Sequence, residues 1–394
     1  MKFLSLLVLL FTTGAAAQTA DILRDLSEIT GLQIRRAVKQ ETMNRSQLKQ
    51  FFEQRIKEVV KPEELRVEEL TLKKFGFVPA DFDLKSTTID LLTEQAAAFY
   101  DYRKKKMVLL DSGGDGLQQT ALVHELAHAL ADQHFNLEKY LTKGNSSDDA
   151  SLARTAVMEG QATWLMSEHA AKRLGQSLVD APLLVEAMSR MAAGSGASFP
   201  VFEKVPLYMR ESLVFPYSKG MLFQQAVVKK LGKQGFREVF QHPPTTSQEI
   251  LHPEKYFNHI VPEKVEPPLP PGKGWKELID GTLGEFDHDI LLRQYSPGDA
   301  GLQVAWRGGR YRIREHKKTK RTVLAYATAW DSEASAVKML QAYRRILQGK
   351  WKKFQVTAES DTRIQGIGDD GYFDLNRQGT IIFSLEGVET LPDR

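Results

Sequence analysis

The chain has no cysteine in its 394 residues. That excludes disulfides as a source of stability and thiolates as metal ligands. Any zinc site must therefore be built from histidine and carboxylate. A lipid anchor of the bacterial lipoprotein kind needs a cysteine at its cleavage site, so it is excluded too. No apolar run reaches eighteen residues, which leaves no candidate for a membrane-spanning helix. A charge excess is also missing. Lys plus Arg number 53 against 50 Asp plus Glu, and the resulting +3 gives no reason to expect nucleic acid or a membrane as partner. What remains is an ordinary globular composition, 42% hydrophobic and 26% charged, on a chain long enough for two cores.

The first residues stand apart. Lys2 precedes an apolar run from Phe3 to Phe11, then Thr12-Thr13-Gly14 and Ala15-Ala16-Ala17 before Gln18. A positive end, a short greasy core and an A-x-A site predict a cleavable secretory signal over residues 1–17. The expected product is secreted or periplasmic, and export without cysteine suits a bacterial envelope or extracellular protein.

Beyond the signal, residues 28–39 read as a strand-like approach. Ser46 reads as the N-cap of a helix over 47–60, and Pro62 opens a helix through Phe75. A helical stretch follows over 84–98. Residues 99–110 read as a hairpin turning at Arg103 to Lys106, a charge run expected to be solvated. Helices are expected over 117–140, 150–174, 183–193 and from about Tyr217 to Leu231. The segment 263–274, with four prolines and two glycines, reads as a linker. It separates a domain over 18–262 from one over 275–394. In the second domain, strand patterns at 303–306, 311–315, 322–329, 354–358, 371–375 and 380–385 surround a helix over 333–347 capped at Asp331-Ser332. That predicts a small α+β domain with a mostly antiparallel sheet.

The chemistry concentrates at His124-Glu125-Leu126-Ala127-His128. On a helix, positions i and i+4 lie on one face, so His124 and His128 can offer imidazole nitrogens to one Zn2+ ion. Glu125 falls to one side, where it can act as general base toward a water that zinc activates and then return the proton to the leaving amine. Zinc needs a third protein ligand, and Glu159, beside Gly160 in an otherwise apolar helix, is the candidate. Gly160 costs about 1 kcal/mol of helix propensity against Ala and lets a neighbour approach closely. Glu168 and His169 are the alternatives further along the same helix, whereas His134 falls on the wrong face of its own. Asp132 can support a ligand histidine or sit as a surface acid, and His252 is a further polar candidate.

These strings resemble a known family. HELAHALAD followed at a distance by a helical glutamate is similar to the gluzincins, zinc peptidases with two histidines and one glutamate as ligands. Phe215-Pro216-Tyr217-Ser218-Lys219-Gly220 resembles the Pro-Tyr-x-Lys-Gly segment of the aminopeptidase branch. By that match Tyr217 would stabilise the oxyanion, a task suited to a phenol. With YDYRKKK, MEGQAT and ILHPEKY the pattern looks like a group of largely uncharacterised bacterial secreted metallopeptidase-like proteins, over roughly residues 30–260. The resemblance implies a mainly helical, zincin-like catalytic domain with a small sheet, followed by the smaller α+β domain. Two departures bear on activity. The Gly-x-Met-x-Asn segment of the aminopeptidases is absent, and thirty residues separate His128 from Glu159, more than in that branch.

The expectation is a secreted zinc peptidase acting on a peptide or protein, more an endopeptidase than an aminopeptidase. Two other classes stay open: a non-catalytic, zinc-stabilised scaffold or chaperone-like envelope protein, and a zinc amidase or deacetylase of cell-wall substrates.

Overall fold

A computed structural model describes residues 18–111, 115–142, 147–194, 199–268 and 274–391. The expected signal segment, part of the loop at 112–116, part of the loop at 144–149, the break after Gly194 and residues 269–273 of the expected linker lie outside the described residues.

The architecture is mixed α+β, a large helical N-terminal part followed by a sheet region. Residues 18–30 form a helix, α1. There follow β1 (Lys39–Met43), α2 (Arg45–Val59), α3 (Pro62–Phe75), α4 (Leu84–Gln95), β2 (Ala98–Asp101) and β3 (Lys106–Leu110). The helical mass is α5 (Asp115–Phe135), α6 (Leu137–Thr142), α7 (Asp148–Arg173), α8 (Pro182–Gly194), α9 (Pro200–Lys204) and α10 (Leu207–Leu231). Three short helices close it: α11 (Gly235–Gln241), α12 (Ser247–Leu251) and α13 (Pro253–Phe257). The sheet region comprises β4 (Trp275–Gly281), α14 (Glu285–Tyr295), β5 (Trp306–His316), β6 (Thr322–Trp330), α15 (Glu333–Lys350), β7 (Gln355–Glu359), β8 (Arg363–Gly368), β9 (Gly371–Gln378) and β10 (Ile381–Val388).

Several boundaries differ from the sequence reading, each for a local reason. The stretch expected to be strand-like near residue 28 is the end of α1, whose Ile22, Leu23 and Leu26 pack with Leu122 and Leu126 of α5. The cap of α2 is Asn44 rather than Ser46: Asn44 Oδ1 accepts from Gln47 N–H, and Gln47 Oε1 from Asn44 N–H, both at 2.9 Å. The expected helix over 117–140 breaks at Asn136, where φ is +51°, a left-handed turn asparagine tolerates. Its carboxamide then accepts from Lys139 N–H as α6 begins. Helix α10 starts ten residues before Tyr217 and runs through Pro216. Proline removes one ladder hydrogen bond and usually ends a helix. Here Phe215, Pro216 and Ser218 are all buried, so packing holds the helix across it.

Two sheets result. The small one has the order β1-β3-β2, with β1 parallel and β2 antiparallel to β3, which leaves β2 on an edge. The large one runs β4-β5-β6-β10-β9-β8-β7, with antiparallel pairing throughout among the described residues. Strands β4 and β8 and helix α14 were not read from the sequence. One hydrophobic core passes from the helices into the large sheet. Phe75 of α3 meets the rings of Tyr311 and Tyr326, and Phe215 of α10 meets Phe286 of α14. The segment before the undescribed residues also packs on the sheet: Val265 is buried with Ala327 and Ala329, and Glu266 pairs with Arg310 and Arg312. Among the described residues no helix is long and apolar enough to cross a membrane.

Candidate metal centre

Helix α5 carries His124 and His128 one turn apart, both largely buried, at 9% and 7% exposure. Helix α7 brings Glu159 to the same point. His124 Nε2 lies 3.0 Å from Glu159 Oε2 and 3.0 Å from His128 Nε2, and His128 Nε2 lies 3.2 Å from Glu159 Oε2. Among the described residues this trio is the one cluster of His and acidic groups whose ligand atoms lie close enough to share an ion. Two imidazole nitrogens turned on each other and on one carboxylate oxygen cannot all be satisfied by the protons they carry. A cation at their centre fits the donor set, and two His plus one carboxylate is a zinc-type set with room for a fourth ligand. Glu168 and His169, the alternatives for the third ligand, are engaged elsewhere. Glu168 accepts from Ser177 Oγ–H at 2.9 Å and Leu178 N–H at 2.7 Å, and His169 pairs with Asp25 at 3.1 Å.

What places Glu159 is the crossing of α7 and α10. A Cβ on Gly160 would lie 2.1 Å from the carbonyl carbon of Gly220, and one on Gly220 would lie 2.1 Å from the carbonyl oxygen of Ala156. Only two glycines let these backbones touch. The same contact brings Tyr217, three residues before Gly220, against the trio. Its ring stacks on that of His124 with centroids 5.9 Å apart. Its hydroxyl interacts with the Glu159 carboxylate.

Electrostatics follow from that crowding. Burial acts to raise the Glu159 pKa, but the facing imidazoles, His128 foremost, hold its carboxyl well below the usual range. Burial opposes the charged form of His128, and the carboxylates of Glu159 and Glu125 outweigh it, so its pKa is raised. Glu125 is pushed up by burial, only partly offset by His128, His124 and the backbone N–H of Tyr100. Tyr217 is raised well above its ordinary value by the Glu159 charge and then by burial, so it stays a phenol and a donor.

Asp132 supports neither ligand histidine and is not a surface acid. Its side chain, 0% exposed, accepts from four directions: Tyr100 Oη–H at 2.9 Å, Arg36 at 3.1 Å, Lys105 at 2.8 Å and Leu137 N–H at 2.9 Å. Tyr100 is on β2, and its N–H meets Glu125. Asp132 therefore fixes the height of the edge strand above α5. The charge run at 103–106 is correspondingly tied down: Lys105 to Asp132, Arg103 to Glu138 at 3.1 Å, and Lys106 to Glu41. His134 meets the Gln33 carbonyl at 2.8 Å, and the partly exposed His252 pairs with buried Glu285 at 2.8 Å.

The trio opens into a cavity of about 740 Å³ bounded by α5, α7 and α10 below and by α2, α4 and β2 above. Its lining away from the trio is largely apolar. The sequence reading assigned no role to Phe51, Phe52 or Leu92, because only the tertiary arrangement sets them opposite the zinc-type helix.

Comparison with known proteins leaves the site without a named relative. A family model described as a domain of unknown function (DUF8575) matches residues 230–392, the sheet region and its approach, and includes none of the trio. No curated protein and no solved structure matches the chain.

Proposed function

We propose that this chain is a zinc-dependent peptidase of the gluzincin type, exported through residues 1–17 and acting as an endopeptidase. The observation that carries the reading is the convergence of His124, His128 and Glu159 at 3.0–3.2 Å in one cavity with Glu125 and Tyr217. His124, His128 and Glu159 would hold the ion. Bound there, zinc supplies Lewis-acid polarisation and lowers the pKa of water toward neutrality.

The chain's own groups do the rest. Glu125, its proton affinity raised by burial, takes the proton of the attacking water and delivers it to the leaving amine. Tyr217 donates its hydroxyl hydrogen to the oxygen on which negative charge develops. The edge strand β2 offers backbone groups along which an extended peptide can lie. Asp101, the one other acid lining the cavity among the described residues, is already taken: Arg55 donates to it at 2.6 Å, and the N–H groups of Arg103 and Lys104 at 3.0 and 3.1 Å. Among the described residues no other carboxylate lines the cavity to capture a substrate's free amino terminus, which favours internal cleavage.

The test is metal content and hydrolysis of casein or quenched peptides by wild type, Glu159→Gln and Glu125→Gln. One zinc per chain is expected in the wild type, with affinity lowered at least about a hundredfold by Glu159→Gln. Glu125→Gln should keep the zinc and lose activity by about a thousandfold or more. A wild type that binds no zinc overturns the proposal. Zinc retained without hydrolysis of any peptide moves the reading to a zinc-stabilised scaffold.

A further inference from the structure

The upper wall of the cavity is aromatic, and that wall has a chemical preference. Phe51 and Phe52 of α2 and Phe99 of β2 form a three-ring cluster. Centroids lie 4.9 Å apart for Phe51–Phe99, 5.7 Å for Phe51–Phe52 and 6.1 Å for Phe52–Phe99. All three rings line the cavity and are only half-buried. Strand alternation explains the placement. Tyr100 and Phe99 point to opposite faces of β2, Tyr100 down onto Asp132 of α5 and Phe99 up onto α2. Leu92 of α4 and Phe199 extend the apolar surface, and Met158 and Met166 of α7 face the same space.

Charge is almost absent from this wall. Its cation, Arg55, is bound to Asp101 and lies 5.0 Å from the centre of the Phe51 ring. A charged substrate side chain entering here would lose water and find, among the described residues of the wall, no unpaired group of opposite charge. A large apolar one would instead cover ring surface now left to solvent, a gain that grows with its area.

We propose that Phe51, Phe52 and Phe99 form the specificity subsite of this enzyme and that its substrates are polypeptide segments carrying an aromatic or large aliphatic residue beside the scissile bond. The subsite rests on the peptidase reading for its catalytic consequence but not for its binding chemistry. A cavity of about 740 Å³ is large enough for such a side chain with the flanking backbone.

The test uses full-length mature protein loaded with zinc. Quenched peptides differ at one residue, Phe, Leu, Ala, Asp or Lys, placed in turn on each side of the cleaved bond. At one of the two positions Phe and Leu should exceed Ala and Asp in kcat/KM by about tenfold or more. Phe52→Ala and Phe99→Ala should each reduce the Phe-to-Ala ratio severalfold, and Phe99→Leu should restore most of it. Unchanged zinc content marks the variants as folded. A binding readout runs beside this: fluorescence anisotropy of labelled Phe and Ala peptides on zinc-loaded Glu125→Gln protein, with and without Phe52→Ala.

Cleavage without side-chain preference, or a preference that neither alanine variant moves, overturns the subsite and leaves the peptidase reading intact. No cleavage by the wild type, with the Phe peptide still bound preferentially in a Phe52-dependent way, keeps the subsite and overturns the peptidase. Absence of both cleavage and preferential binding overturns both.

Discussion

The floor and the roof of the cavity are built on different terms. The floor is the crossing of α7 over α10 with α5 beside them, where Gly160 and Gly220 bring backbone onto backbone and His124, His128 and Glu159 converge at 3.0–3.2 Å. The roof, α2 and α4 with the edge strand β2, presents half-buried phenyl rings and one internally neutralised ion pair. A metal trio and a general base need fixed separations, and touching glycine backbones supply a contact with no side chain to yield. Selection of a substrate side chain needs apolar area, and the half-buried rings of the roof leave such area open. On the proposed function, the floor of this cavity would hold the reacting groups and the roof the selecting ones.

The comparison breaks most readily at the glycines. Gly160→Val should force α7 and α10 apart, because neither backbone can give, and cost more than about 4 kcal/mol by denaturant titration. Zinc binding should go with it, since Glu159 and Tyr217 lose their common reference. A well-folded, zinc-binding Gly160→Val protein would show that the crossing is not what fixes the floor.

Next in size is the tie between roof and floor. Asp132→Asn leaves Arg36 and Lys105 facing a neutral amide and should lower stability by about 2–3 kcal/mol, both cations being partly solvated. Peptidase activity should fall while zinc content holds, because Tyr100 no longer carries β2 at the height that meets Glu125. Loss of zinc in step with activity would mean that Asp132 supports the trio instead.

A third effect, present only over part of the pH range, concerns the far end of α7. Asp149, 2% exposed, accepts from Ser247 N–H at 3.0 Å through one oxygen, and its other oxygen has no partner. Burial, with Glu285 and Glu249 nearby, pushes it from the ordinary 3.8 up to about 7. A raised carboxyl favours the protonated folded state. The stability it contributes is fully present below pH 3.8 and is lost as pH rises through about 7. Asp149→Asn keeps an acceptor for Ser247 without the charge. Its advantage over wild type should grow between about pH 4 and 7 and then level off, at no more than about 4 kcal/mol in melts taken across that range. An advantage independent of pH would show that Asp149 is ionised throughout.

Much of this was legible in the sequence, and the remainder was illegible for identifiable reasons. The i, i+4 spacing put His124 and His128 on one helical face, and an acid beside glycine in an apolar helix marked Glu159. Gly160 was read as permitting a close approach, and the close neighbour is the backbone of Gly220. The antiparallel sheet of the C-terminal region and the cap at Ser332 were readable from alternation and capping chemistry. Helix α10 was read ten residues short because local propensity treats Pro216 as a boundary, whereas buried packing on both sides of it holds the helix. Asp132 was read as a possible support for a histidine because spacing along α5 says nothing about β2, whose Tyr100 lies thirty-two residues away in the chain.

The sequence by itself determined the donor types, since a chain without cysteine leaves histidine and carboxylate, and it determined the helical register that pairs two histidines and sets Glu125 aside. Those are local facts, fixed by covalent geometry and a period of 3.6 residues. Only the tertiary structure decided which acid completes the trio, which strand Glu125 meets, and that Phe51, Phe52 and Phe99 share a wall. Each of these depends on contacts between segments distant in the chain. Such contacts are chosen by the packing of the whole core, which no window of sequence contains.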